Sequence, residues 1–299
     1  MLGLMRTMTA AAASFVLLCT APAYADEVHD ALEAYALYQN DVTALLDADI
    51  NGRTVDAALA RLQRHDSDRV ARGWIAYGAL TAAQSPRFAD AIQDRIRQGR
   101  APALRALRDD ITFARQQQGA PAVQLILSAA SADDARLEMA SARYDRFARS
   151  AAGMGRSAAA STELGGETRL SADMLDRLRG AGRVQSTSAS YGSATYWDAL
   201  SGREGRAPRT RGGREQSEYA SVTNHMLTLA ALIVADAERT ERRRVNELLD
   251  EPLTQQCMHM QRLQLRQCLS VSVDAGERAY CLAHHGLNGP GSCFSNVVR

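Results

Sequence analysis

Four residues near the C-terminus, Cys257-Met258-His259-Met260, put a thiol, two thioethers and an imidazole side by side. Soft sulfur and imidazole ligands of this kind suit copper(I). His284 and His285 follow Cys281 closely and add two more imidazoles. That chemistry needs a reduced cysteine. On a helix, steps of about 100° per residue also aim Cys257, His259 and Met260 in different directions. The competing reading oxidises the cysteines, uses the methionines as core filler and leaves the histidines to offset a helix C-terminus.

Three other constellations invite chemistry. Asp47-Ala48-Asp49-Ile50-Asn51-Gly52 matches the opening of a helix–loop–helix calcium loop, with glycine at the sixth position. The twelfth position, which needs a bidentate carboxylate, is Ala58, and the ninth is Val55. An Asn-Gly helix stop followed by Thr54 as the next cap accounts for the same residues. Glu218, in Gln216-Ser217-Glu218-Tyr219, is the nearest thing to the glutamate of a helical glycan-cleaving enzyme. A first-turn glutamate facing solvent and favoured by the helix dipole explains it equally. Asp66 lies beside His65, with no serine or cysteine assignable to the pair. Neither Gly-x-Ser-x-Gly nor His-Glu-x-x-His occurs. The chain has no lysine, which excludes Schiff-base enzymes, Walker-type phosphate loops and Ser-x-x-Lys acyl transfer. No catalytic, cofactor or metal residue is therefore assigned.

The cysteines support a structural role more directly. Cys257, Cys268, Cys281 and Cys293 all fall in the last part of the chain. Cys257 and Cys268 are eleven residues apart on one expected helix, so they share a face but sit about 16 Å apart along the axis. They cannot bond each other. Asp274-Ala275-Gly276-Glu277 has the form of a capping box and opens a second helix carrying Cys281. Gly286 is expected to end it, and Asn288-Gly289-Pro290-Gly291 to turn the chain back so that Cys293 lies alongside. Of the two pairings left, the hairpin favours Cys268–Cys281 with Cys257–Cys293.

An even set of cysteines implies an oxidising compartment, and the N-terminus agrees. Arg6 precedes an apolar run from Ala10 to Cys19, and Ala23-Tyr24-Ala25 is a small-x-small cleavage site. Leu18 before Cys19 argues against lipidation, where a small residue is usual. Residues 1–25 are read as a cleaved signal peptide. The apolar run is shorter than the roughly 20 residues a membrane span requires. So is Met226–Ala235, and no transmembrane segment is expected after cleavage. Charge is balanced, with 35 basic and 34 acidic residues, which gives nucleic acid no reason to bind.

The elements that must position these residues are helical. From Val28 to Asp47 the apolar residues Leu32, Tyr35, Tyr38, Val42 and Leu45 recur at three- and four-residue steps. Thr54 and Ser67 are expected caps of the next two helices, and Ser85-Pro86 opens a fourth. Further helices fit 103–118, 122–130, 133–151 and 172–178. Residues 152–214 are rich in Gly, Ser and Arg and read as an irregular connector, its Arg203–Arg214 cluster as a solvated run. Tyr196 and Trp197 form an aromatic island within it, a possible interaction site. The expected fold is all-α. It has an antiparallel, bundle-like body over 26–151, the connector over 152–214, and a helical unit over 215–299 closed by two disulfides.

The run Arg72-Gly73-Trp74-Ile75-Ala76-Tyr77-Gly78, continuing to Pro86, with Trp197-Asp198-Ala199-Leu200 and the four-cysteine C-terminus, resembles an uncharacterised family of exported helical proteins of high-GC alphaproteobacteria. The resemblance covers most of the mature chain. It implies a periplasmic setting and brings no catalytic residues with it. The expected function is a non-enzymatic periplasmic or cell-envelope protein that binds a protein or cell-wall partner. A copper-binding protein using the Cys-Met-His-Met segment is the alternative, and a glycan-cleaving enzyme comes third. The exported protein should begin at Asp26. Intact mass or N-terminal sequencing checks this, and a mass fitting a lipid-modified Cys19 contradicts it.

Overall fold

The computed structural model describes residues 27–157 and 213–298, without the side chains of 152–157. The signal-peptide reading and most of the expected connector, including Tyr196, Trp197 and residues 172–178, lie outside the described residues. Within them every regular element is helical and no strand occurs. The elements are α1 (Glu27–Asp47), α2 (Gly52–Gln63), α3 (Ser67–Ala83), α4 (Pro86–Gln98), α5 (Arg100–Asp109), α6 (Phe113–Gln116) and α7 (Gly119–Ser157). A 3-10 turn (Ser217–Tyr219) leads into α8 (Ala220–Val234), α9 (Arg242–Leu249), α10 (Pro252–Val271) and α11 (Ala275–Cys281). A π-helical turn (Leu282–Asn288) and α12 (Gly289–Ser295) complete the described chain. No described helix is long and apolar enough to cross a membrane.

Several local expectations change. Asn51, not Thr54, caps α2: its Oδ1 accepts the amides of Arg53 and Thr54, at 3.0 and 3.2 Å. The Thr54 hydroxyl accepts the Asn51 amide in return, completing a capping box. Asp66, not Ser67, caps α3. The helix expected over 103–118 divides into α5 and α6. The two expected over 122–151 are one unbroken α7, which also takes the first six residues of the expected connector.

The sequence of α3 explains the centre of the fold. Val70, Ala71, Trp74, Ile75, Ala76, Tyr77, Ala79 and Ala82 are all buried, so the helix is apolar all round. A helix of that kind must be surrounded. Helices α1, α7, α8, α9 and α10 pack around it. Gly73 and Gly78, about 140° apart on its circumference, admit two of them. At Gly73 the backbone of α1 comes so close that a Cβ would overlap the Ala31 carbonyl and lie 2.6 Å from Tyr35 Cβ. At Gly78 the Met226 thioether of α8 fills the same kind of notch.

The segments on either side of residues 158–212 share one core. Phe294 of α12 sets its ring 5.2 Å from Trp74, 5.7 Å from Tyr35 and 6.3 Å from Tyr38, centroid to centroid. Arginine forks join the same segments. Arg115 makes a two-pronged pair with Glu215, at 2.8 and 2.7 Å, and Arg278 reaches Asp56 at 2.7 Å. Arg100 donates to the carbonyls of Ala235 and Asp236, where α8 ends. Inside, Arg136 of α7 donates to Asp133 and to Gln39 of α1, while the Tyr35 hydroxyl donates to Asp133.

The C-terminal hairpin carries both bridges, Cys257–Cys293 and Cys268–Cys281, with Cα separations of 5.7 and 5.6 Å. Nested pairing of this kind makes α10 antiparallel to the run from α11 to α12. Eleven residues separate the cysteines on α10, three helical turns to within about 20°. Twelve separate their partners, which on an ideal α-helix would put Cys293 about 120° away from the face of Cys281. The π-helical turn lies between them. The Gly289 amide bonds to the His284 carbonyl, five residues back, so the turn takes in the surplus residue and restores the common face. The chain thus does not end its helix at Gly286 or reverse at Asn288–Gly291. Asn288 and Gly289 both keep right-handed helical angles.

Gly73→Ala should destabilise the fold by about 2 kcal/mol, because it meets fixed backbone. Gly78→Ala should cost less than about 1 kcal/mol, since Met226 can rotate and alanine favours the helix. Thermal or denaturant unfolding of the two variants checks the order, and equal losses contradict it.

Candidate functional site

A cleft of about 300 Å³ opens where the end of α2 and the start of α3 face α10 and the π-helical turn. Its walls follow from helical periodicity. Met258, Arg262, Leu265 and Arg266 occupy one face of α10, at steps of three and four residues. Leu62, His65 and Val70 come from the α2–α3 junction, and Tyr38 comes from α1. His285, Gly286 and Pro290 come from the widened turn and the start of α12, so the register correction between the bridges also builds one wall.

Tyr38 is the unusual member. It is 4% exposed, and its hydroxyl has no hydrogen-bond partner among the described residues. Burial pushes the phenol well above its ordinary value, with the charge of Asp133 adding to the effect. It therefore stays protonated and can donate. The His65 ring stands edge-on to Tyr38 at 5.6 Å.

His65 is held from two sides. Its Nε2 donates to Asp41 Oδ2 at 2.6 Å, and its carbonyl accepts from Arg262 at 2.8 Å. Asp41 is buried and also accepts from Arg61 at 3.3 Å and Arg64 at 2.9 Å. Three donors thus neutralise one carboxylate. His285 is half-buried on the opposite wall. Desolvation lowers its pKa, and the neighbouring His284 lowers it further. Gln261 lines the rim, its side chain lying against Gly289 so closely that a Cβ there would overlap it.

The structure scatters the residues that sequence patterns singled out. In Cys257-Met258-His259-Met260, Cys257 is bonded to Cys293, Met258 turns inward to the cleft, and His259 and Met260 are exposed. The thiolate that copper would need is consumed by the bridge. Among the described residues no group of three or more His, Cys, Asp or Glu converges as metal ligands. At the calcium-like loop, the carbonyl of Ala48 and that of Leu45, in the last turn of α1, accept from Arg143 at 2.7 and 3.1 Å, and Asn51 serves as a cap. A guanidinium already meets the carbonyl oxygens there. Glu218 is exposed in the 3-10 turn. His65 pairs with Asp41, not with its neighbour Asp66.

Sequence reasoning missed Tyr38, Asp41, His285 and the Arg262–Arg266 pair as a group. Only the four-residue spacing of the two arginines, in register with Met258 and Leu265, was visible beforehand. A second, wider groove of about 530 Å³ runs beside the Cys268–Cys281 bridge, with Tyr280 and Val271 on its edge. No family model, curated protein or solved structure matches the chain. The roles of these residues therefore rest on their geometry.

Proposed function

We propose that this chain is a non-enzymatic binding module of the cell envelope, working outside the cytoplasm, and that the cleft beside α10 is where it takes its ligand. The observation that carries this reading is the cleft itself, about 300 Å³, where Arg262 and Arg266 stand over the buried apolar side chains of Leu62, Val70, Met258 and Leu265. A few polar groups over an apolar floor are the usual build of a small-molecule site. The two bridges that fix α10 support the compartment, since disulfides persist where the surroundings are oxidising.

The chemistry of the cleft favours holding over turnover. Asp41, shared by Arg61, Arg64 and His65, is spent on fixing the histidine ring. The bonded Asp41–His65 pair therefore stiffens the wall of the cleft.

A photo-crosslinking residue at Gln63, exposed on the rim, tests the reading in intact cells. An envelope component should be captured there, chemically unaltered, and not from the same probe at Gln98 on α4, which does not line the cleft. Equal labelling at both positions, or a captured species that the protein converts to product, would overturn it.

A further inference from the structure

We infer that the cleft takes a small organic anion, with an oxyanion head carried on a compact apolar body. The inference rests on the reading of the cleft given above and names the chemistry of its ligand. The lining of the cleft includes Arg262 and Arg266 and, among the described residues, no Asp or Glu. Arg262 lies 4.0 Å from Asp66. Arg266 is exposed at the rim and has no carboxylate partner among the described residues. Its planar fork matches the two oxygens of a carboxylate or phosphate.

The wall beside Arg266 is polar, since Gln261 and His285 line it and can donate to an oxyanion. The floor is different in kind. Leu62, Val70, Met258 and Leu265 are buried and apolar, so the ligand must carry carbon behind its charged head. A volume of about 300 Å³ is at the small end for organic ligands. It suits one ring or a short chain and excludes a polymer segment lying wholly inside.

Phenylacetate, phenyl phosphate and the uncharged phenylacetamide are the probes, titrated into the disulfide-bonded protein by calorimetry while the His65 and His285 imidazole resonances are followed. Phenylacetate or phenyl phosphate should bind at least about tenfold more tightly than phenylacetamide, as a charge-assisted fork contact implies. The tighter of the two names the head group. Arg266→Glu, a surface change, should abolish the preference while the melting temperature holds. Equal affinity for phenylacetamide would overturn the anion assignment and leave the cleft as a binding site. If no probe moves either imidazole while Gln63 still captures an envelope component, the ligand class fails alone. If both fail, the cleft is not the site.

Discussion

The Cys257–Cys293 and Cys268–Cys281 bridges tie the same two helical runs together at two points, and two points fix a register. One side offers its sulfurs eleven residues apart and the other twelve. A helix cannot shift a side chain by 120° without changing its winding, so the difference is taken up by one wide turn between Leu282 and Asn288. Two features follow from that turn. It presents His285 and Gly286 to the cleft, and it sets the phase of α12 so that Phe294 enters the aromatic cluster of Trp74, Tyr35 and Tyr38. Each closure also contributes about 3 kcal/mol by restricting the unfolded chain. The bridges thus stabilise the hairpin and shape the site together.

The hairpin works because it rests on a core that it does not supply. α3 is apolar around its whole circumference and is covered by elements from both described segments. Phe294 from one end of the chain and Tyr35 from the other meet on Trp74. The absence of lysine acquires a structural side here. The contacts between segments use planar guanidinium groups, which bind a carboxylate at two points or reach two successive carbonyls, as Arg115 and Arg100 do. A lysine ammonium would offer a single point at the same positions.

Much of the fold was legible in the sequence because its signals are local. Helix periodicity, the Ser85-Pro86 opening and the Asp274 capping box depend on residues within a turn of one another. The cysteine pairing was legible because the eleven-residue spacing on α10 excludes one alternative geometrically. The misreadings have physical causes. Asn51 and Asp66 outcompete Thr54 and Ser67 as caps because they stand one to three residues earlier and their carboxyl or amide oxygens reach two amides at once. Two helices were expected over 122–130 and 133–151, yet burial of Ala129, Ala130 and Leu137 against the core keeps α7 continuous. Gly286 and Pro290 resembled a stop, and the register imposed from α10 overrides both. The cleft was not legible at all. Its members come from α1, the α2–α3 junction, α10 and the π-helical turn, and only folding brings Tyr38 and His285 to one opening.

The widened turn serves both register and site, and a single deletion separates its two roles. Removing Asn288, which is exposed, leaves eleven residues between Cys281 and Cys293 and lets the run wind as an ordinary α-helix. The decisive measurement is phenylacetate affinity of this variant, after peptide mapping of its disulfides. Both bridges should form as in the parent chain, while affinity falls by about tenfold or more because the His285 wall is displaced. Parent-level affinity with both bridges intact would contradict the account, and so would a failure of the cysteines to pair.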